Sequence, residues 1–85
     1  MIWKFPLKAT DKQTIEMPGI ARVLCVQVQN GTPCLWADGC HEDALQVART
    51  FSTYGTGHPM PKKPGRYIGT FQVERGTLIF HVYED

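Results

Sequence analysis

The sequence IARVLCVQVQNGTPCLWAD, residues 20–38, decides the fold class. Two apolar runs flank Asn30-Gly31. An Asn-Gly pair in this setting is the strongest short-range signal for a β-hairpin, because both central positions of a type I′ turn need positive φ. The segment therefore predicts two antiparallel strands, residues 20–29 and 32–38.

The rest of the chain predicts further strands of the same kind. Short runs of alternating apolar and polar residues are separated by Pro, Gly and polar turn residues. The predicted strands are residues 2–7, 13–17, 20–29, 32–38, 49–54, 66–73 and 77–84. Seven short strands predict an all-β fold, either an antiparallel β-sandwich or a small barrel, in one domain of 85 residues with at most one short helix.

Residues 38–48 allow two interpretations. Glu42 and Asp43 precede an apolar stretch, an order compatible with about two helical turns, since acids favour the first turn of a helix. A helix of that length needs tertiary support. The favoured alternative is an irregular excursion between strands.

Alternation along the strands also predicts the core. Apolar residues that share a strand face are expected to point inward. The predicted core residues are Trp3, Phe5, Ile15, Leu24, Val26, Val28, Phe51, Phe71, Val73, Leu78, Phe80 and Val82, with Trp36 and Tyr67 at its ends and Cys25 as a further packed residue.

Composition limits the classes of function. The formal net charge is +1, from nine basic and eight acidic residues, which disfavours a protein that coats nucleic acid or an anionic membrane. No apolar run approaches the length of a membrane span, and the first residues lack a signal-peptide pattern. Three cysteines without a disulfide framework suit a reducing cytoplasm.

The best functional candidate is the loop of residues 55–66. It holds three glycines, three prolines, one histidine and three basic residues, and no acid. Backbone N–H groups of a Gly-x-Gly turn can form an anion-binding nest, and long loops often carry function. The segment lacks the ending of a Walker loop and does not open a helix. The structural alternative is a plain strand connection with solvated lysines.

We predict a ligand-binding site around this loop and the adjoining strand ends. Basic residues would contact phosphate, a tyrosine would stack on a base, and two histidines from separate segments would share the pocket with Tyr54 or Tyr83. The alternative for His81 is a hydrogen-bonded strand histidine. The predicted ligand-binding residues are Tyr54, Gly55, Thr56, Gly57, His58, Lys62, Lys63, Arg66, Tyr67 and His81.

Cys34, Cys40 and His41 offer soft ligands close together in sequence, but Cys-x5-Cys-His lacks the two close pairs of a structural zinc site. Adjacent Cys40 and His41 point apart in an extended segment, which disfavours a nucleophile and base pair. The sequence predicts no metal, no cofactor and no catalytic residue. Most aromatic residues fall at predicted core positions, where they cannot stack on bases. The sequence therefore disfavours nucleic-acid binding.

Several short motifs together give a family resemblance. They are Ile2-Trp3-Lys4, Thr14-Ile15-Glu16-Met17-Pro18, Cys34-Leu35-Trp36, Gly55-Thr56-Gly57-His58-Pro59, Tyr67-Ile68-Gly69-Thr70 and His81-Val82-Tyr83-Glu84. With these motifs the chain resembles a family of small uncharacterised proteins of tailed bacteriophages and prophages, catalogued as a domain of unknown function. Residues 38–47 depart from the pattern, so nothing transfers there.

The resemblance implies a phage accessory protein in the cytoplasm of a bacterial host, and no activity. The expected role is non-enzymatic binding, as an inhibitor or a sponge for a nucleotide-derived signal in counter-defence. The expected partner is an anionic, nucleotide-like small molecule in a pocket completed by a symmetric second copy. The alternatives are a host protein bound through an edge strand and a structural component of the virion. No membrane partner is expected.

Overall fold

The computed structural model describes residues 1–85 as seven strands and one 3₁₀ turn. The strands are β1 (Trp3–Pro6), β2 (Lys12–Pro18), β3 (Arg22–Gln29), β4 (Thr32–Asp38), β5 (Gln46–Gly55), β6 (Arg66–Val73) and β7 (Leu78–Glu84), and the 3₁₀ turn is Glu74–Gly76. The predicted all-β class with seven antiparallel strands is confirmed. No helix has the length and apolar character needed to cross a membrane.

The strands form two sheets, one with the order β1-β4-β3 and one with the order β2-β5-β7-β6. All neighbouring strands are antiparallel. Asn30 and Gly31 take φ values of 50° and 81°, as the predicted hairpin requires, and Gln29 faces Thr32 across the turn. The hairpin that decides the fold class is therefore present in the predicted register.

A β-bulge in β3 changes which of its residues are buried. The register shifts between Val23 and Cys25, so two residues of β3 oppose one of β4. As a result Val23 and Val26 are buried, whereas Leu24 is 42% exposed. The predictions of Leu24 as a core residue and of Cys25 as packed inside are wrong, because strict alternation does not hold across a bulge.

A second bulge, between Tyr67 and Gly69 of β6, has the same effect. It buries Ile68 together with Phe71 and leaves Tyr67 52% exposed, so the placement of Tyr67 at the end of the core is wrong. Gly69 then lies against β3, where an added Cβ would be 2.9 Å from a methyl group of Val26. The two bulged strands meet there and close one side of the sandwich.

The core lies between the sheets and draws on both. Its buried members are Leu7, Met17, Ala21, Val23, Val26, Leu35, Ala37, Cys40, Phe51, Ile68, Phe71 and Val82, with Trp3, Phe5, Ile15, Val73 and Phe80 packed against them. In β4 the inward residues are Leu35 and Ala37, so Trp36 lies on the outer face. Val28 and Leu78, both predicted in the core, are 39% and 46% exposed.

No helix forms within residues 38–48, in agreement with the favoured interpretation of that segment. Instead β5 begins at Gln46, three residues before the predicted start, and pairs with β2 as far as Pro18. The Gly19 N–H donates to the Leu45 carbonyl at 3.0 Å and extends this pairing. A ladder with β2 satisfies backbone groups that a two-turn helix would leave open at both ends.

The connection from β5 to β6 crosses the four-stranded sheet. Both strands are antiparallel to β7, which lies between them, so they run parallel and residues 56–65 return along the sheet. The core fills the inner face, so the connection passes over the outer face. Ser52 points outward beside core residue Phe51, yet it is only 2% exposed, as expected beneath this loop.

One end of the sandwich is closed by Arg49. Its guanidinium donates to both carboxylate oxygens of Glu84, at 2.7 and 2.8 Å, and also to the carbonyls of Ala21 (2.6 Å) and Pro18 (3.3 Å). The hydrogen bond with Glu84 raises the pKa of Arg49. The side chain thus ties the turn after β2 to the end of β7.

Candidate functional site

The outer face of the four-stranded sheet carries most of the predicted site. Tyr54 faces His81, and His81 faces Thr70, in one row across β5, β7 and β6. In the next row Tyr83 faces Tyr67. Cross-strand partners share a face of the sheet, so these five side chains form one surface. We refer to these five residues as the tyrosine–histidine face.

The three tyrosine rings of this face form a contiguous row. Tyr83 lies between Tyr54, with ring centroids 5.8 Å apart and planes at 69°, and Tyr67, at 5.3 Å and 61°. Edge-to-face contacts of this kind are favourable because the positive edge of one ring meets the negative face of another. Tyr67, at the end of the row, is half exposed, so the row presents a supported aromatic ring to solvent.

A chain of hydrogen bonds joins the hydroxyl groups to His81. Tyr67 and Thr70 are linked at 2.5 Å, Thr70 and His81 Nδ1 at 2.9 Å, and His81 Nε2 and Thr56 at 2.7 Å. The Thr56 hydroxyl also donates to the Ile79 carbonyl at 3.3 Å. A carbonyl can only accept a hydrogen bond, so the Thr56 hydroxyl is the donor to Ile79. Each of the other groups has one hydrogen to donate, so this bond fixes the direction of all the others. Each hydroxyl then donates toward Ile79.

This direction assigns the tautomer of His81. Its Nε2–H donates to Thr56, while Nδ1 accepts from the Thr70 hydroxyl, which in turn accepts from Tyr67. Both ring nitrogens are occupied, so His81 acts within the chain as a positioning residue. It holds Tyr67 and Thr70 in place, and the Tyr67 oxygen keeps lone pairs that can accept from a ligand.

His58 lies at the margin of this face. Its N–H donates to the Gly55 carbonyl at 3.1 Å, and its ring covers Gly55 so closely that an added Cβ would lie 2.8 Å from Nδ1. A side chain at position 55 would require the exposed His58 ring to shift. His58 and Pro59 form one wall of a cleft of about 360 Å³, with Tyr54 and Lys12 on its other sides.

Lys12 brings a positive charge to this cleft but is paired with Asp85. The Lys12 ammonium lies 2.9 Å from the carboxylate, which also accepts from the Ser52 hydroxyl at 2.8 Å. The hydrogen bond raises the pKa of Lys12, and the bonds from Lys12 and Ser52 lower the pKa of Asp85. The pair therefore places no uncompensated negative charge beside the tyrosines.

The structure separates the basic residues of the loop by role. Lys62 and Lys63 are exposed and make no ion pair. Arg66 instead donates to the Val23 carbonyl at 2.9 Å and ties β6 to β3. Gly65, at φ 96°, lies against the Glu84 carbonyl, where any Cβ would collide. The structure thus brings together Tyr54, Thr56, Tyr67 and His81, and it places His58 next to them. Of the three basic residues of the loop, only the two lysines have no partner within the protein.

A family model covers residues 1–85 in full, with the description "Domain of unknown function (DUF7352)". The chain belongs to the DUF7352 family. Neither the curated proteins nor the solved structures provide a match to it. The expectation that the chain belongs to a domain family of unknown function is confirmed. DUF7352 carries no described activity, so a function for this member must be argued from its geometry.

Sequence reasoning missed three polar residues of this DUF7352 chain that shape the site. Thr70 completes the hydrogen-bond chain, while Lys12 and Ser52 hold Asp85. All three lie on outward positions of their strands. The signal that finds them is cross-strand register, which a single sequence does not contain because the order of strands in the sheet is long-range information.

Cys34 and Cys40 of this DUF7352 chain are buried, whereas Cys25 is partly exposed, and none of the three forms a disulfide. Cys40 is fully buried in the core and donates to the Ala37 carbonyl at 3.5 Å, whereas His41 is exposed. Cys34 lies on the outer face of β4 and donates to the Thr32 carbonyl at 3.4 Å. No group of three or more His, Cys, Asp or Glu side chains is arranged to hold a metal ion.

Proposed function

We propose that this chain is a non-enzymatic binding protein that holds a nucleotide-like anion on the tyrosine–histidine face. One observation carries the proposal. Tyr67 presents a half-exposed ring, buttressed by Tyr83 and fixed by the hydrogen-bond chain through His81, beside a loop with two unpaired lysines. A fixed aromatic ring beside mobile cations suits a ligand with a planar base and a phosphate.

The base would stack on Tyr67. Stacking of a base on an aromatic side chain contributes about 1–3 kcal/mol and requires a ring that does not have to be ordered first. Tyr83 packs edge-on against Tyr67 at 5.3 Å, and the Tyr67 hydroxyl is held by Thr70. The ring is therefore already fixed before a ligand arrives.

The phosphate would be bound by the crossing loop. Lys62 and Lys63 are unpaired and exposed, and His58 lies at the loop's first turn. Unpaired ammonium groups bind phosphate as point charges, and their contribution falls with added salt. The nearest acid of the sheet face, Asp85, is already paired with Lys12.

The cellular setting is a second part of the proposal. The motif resemblance to small phage and prophage proteins supports a role in the cytoplasm of a bacterial host, where sequestering a nucleotide-derived signal would counter a host defence. A protein that sequesters a signal in this way needs only affinity for that signal and abundance in the cell. The fold and the site chemistry are compatible with it, and the ligand test below does not depend on the origin of the chain.

The proposal is tested by calorimetric titration with four matched probes. Adenosine monophosphate and a cyclic dinucleotide carry both base and phosphate, adenosine lacks the phosphate, and ribose phosphate lacks the base. We expect the first two to bind most tightly, and both truncated probes to bind at least about tenfold more weakly, because each loses one of the two contacts. Equal binding of adenosine and its monophosphate would remove the phosphate from the proposal.

Variants assign the two contacts to residues. Tyr67→Ala should weaken binding of adenosine monophosphate about tenfold or more through lost stacking, while Tyr67→Phe keeps the ring and should lose less. Lys62→Ala with Lys63→Ala should weaken binding and flatten its salt dependence. Lys8→Ala, a single charge change in the connection between β1 and β2, is the control and should leave affinity unchanged. An unaltered affinity in the double variant would contradict the role of the loop.

A further inference from the structure

The end of the sandwich opposite Arg49 holds a second concave region, between the sheets. It is a cavity of about 530 Å³, bounded by the connection between β1 and β2, the Asn30-Gly31 hairpin and the end of β6. Small-molecule sites commonly have volumes of about 300–1,000 Å³. The region is partly open to solvent, so a small molecule can enter it from outside.

The cavity combines apolar and polar walls. Phe71 and Phe80 form one side, with ring centroids 5.5 Å apart, and Leu7, Val73 and Pro33 add further apolar surface. Thr53 shares the inner face of β5 with core residue Phe51 and adds a hydroxyl group, as do Thr10 and Thr32. Apolar surface with a few placed polar groups is the usual composition of a small-ligand pocket.

Two inward-facing residues near the cavity remain uncovered. Leu78 follows the inward alternation of Phe80 and Val82 but is 46% exposed, and Val28 follows that of Val26 but is 39% exposed. Leu78 pairs with Val73 and Val28 pairs with Pro33, so each is the cross-strand neighbour of a residue that lines the cavity.

Charge at the rim restricts what can enter. Lys8 contributes one cation, and Asp11 and Glu74 contribute two carboxylates, none of which forms an ion pair. Glu74 is held at the rim by a left-handed backbone, with φ 52°, followed by Arg75 at 57°. The rim thus carries an excess of negative charge, so it disfavours an anionic ligand.

We propose that this cavity is a second binding site, for a neutral or cationic small molecule with an aromatic or branched aliphatic body. Its apolar part would lie between Phe80 and Leu7, and its polar group would reach the Thr53 hydroxyl or the rim carboxylates. The site differs in chemistry from the tyrosine–histidine face, which suits an anion. Asp11, Thr53 and Phe80 line both this cavity and the cleft beside His58, so the two sites adjoin.

The test is a titration of isotope-labelled protein with three probes that share one aromatic body. Naphthylmethanol is neutral, naphthylmethylamine is cationic and naphthoate is anionic. We expect saturable amide shifts at Leu7, Phe71 and Val73, which line only this cavity, with the alcohol and the amine, and naphthoate to bind about tenfold more weakly. Saturation by naphthoate as tight as by the amine, or no saturable shift with any probe, would overturn the proposal.

Two variants separate a cavity site from general surface adhesion. Val73→Phe fills the space and should abolish the shifts, whereas Gln72→Phe adds the same ring to the outward position next to it and should leave them. Thr53→Val keeps the shape, removes the hydroxyl and should weaken the alcohol about fivefold. Binding of all probes that persists in Val73→Phe would show that the cavity is not the site. These outcomes do not depend on whether adenosine monophosphate binds the outer face.

Discussion

The two ends of the sandwich are built from the same strands but differ in how they are finished. At one end Arg49 joins Glu84 to the carbonyls of Pro18 and Ala21 and seals the space between the sheets. At the other end the cavity is open, and Leu78 remains half exposed. Strand alternation alone directs a side chain inward, but only a covering group buries it.

This difference divides the molecule into a part that supports stability and a part available for binding. The sealed end holds fully buried residues such as Met17 and Val23. The open end holds the cavity and the first turn of the crossing loop, whereas Tyr67 lies on the outer face next to Arg66, which pairs with Glu84 at the sealed end. Substitutions at the two ends should therefore have unequal effects on unfolding.

The largest effect is expected from removing the seal. Arg49→Ala leaves Glu84, whose side chain is only 16% exposed, without its ion-pair partner and removes the donor to the Ala21 carbonyl, whereas the Pro18 carbonyl still accepts from the Ala21 N–H. Loss of one partner of a largely buried pair should lower the free energy of unfolding by about 3 kcal/mol. Denaturant titration measures this. Arg49→Lys keeps the charge but not the bidentate contact with Glu84, so its free energy of unfolding should lie between those of the unsubstituted chain and Arg49→Ala. A loss below about 1 kcal/mol in Arg49→Ala would contradict the assigned role.

A matched pair of leucines tests the comparison itself. Leu35 is fully buried between the sheets, and Leu78 is 46% exposed at the open end. Leu35→Ala should cost about 2–3 kcal/mol through lost burial and a new cavity, and Leu78→Ala less than about 1 kcal/mol. Both are read from the same denaturant titration. Equal costs would show that the open end is as well packed as the sealed one.

The smallest effect concerns acid stability through Asp85. The bonds from Lys12 and Ser52 lower its pKa in the folded protein below the ordinary value of 3.8. The carboxylate therefore stabilises the fold above about pH 4, and this contribution is lost as the pH falls through the lowered pKa. Asp85→Asn should be less stable than the unsubstituted chain at pH 7, and the difference should shrink as the pH falls below about 4. A difference in melting temperature that does not change with pH would contradict this.

Local sequence signals predicted the strands well and their faces less well. The Asn30-Gly31 hairpin depends on two adjacent residues with positive φ, which the sequence states directly. The bulges after Val23 and Tyr67 depend on β3 and β6 meeting across the sandwich, a contact between residues far apart in the chain. Strict alternation therefore places Leu24 and Tyr67 on the wrong face of their strands.

The candidate site was predicted in part for the same reason. Tyr54, Thr56, Tyr67 and His81 were singled out from the loop and its flanking strands, and the sheet brings them together. Arg66 was expected to face a ligand, but it is held by Val23 of another sheet. Side-chain identity suggested the chemistry, and strand order decided which side chains meet.

The central claim is that the tyrosine–histidine face binds a nucleotide-like anion. The most direct test is a map of amide shifts in isotope-labelled protein titrated with adenosine monophosphate. We expect saturable shifts at Tyr54, Tyr67, Thr70, His81 and the loop of residues 56–65, and none at Leu7, Phe71 and Val73, which line only the cavity. Shifts confined to the cavity or to the free edge of β2, or no saturable shift, would contradict it.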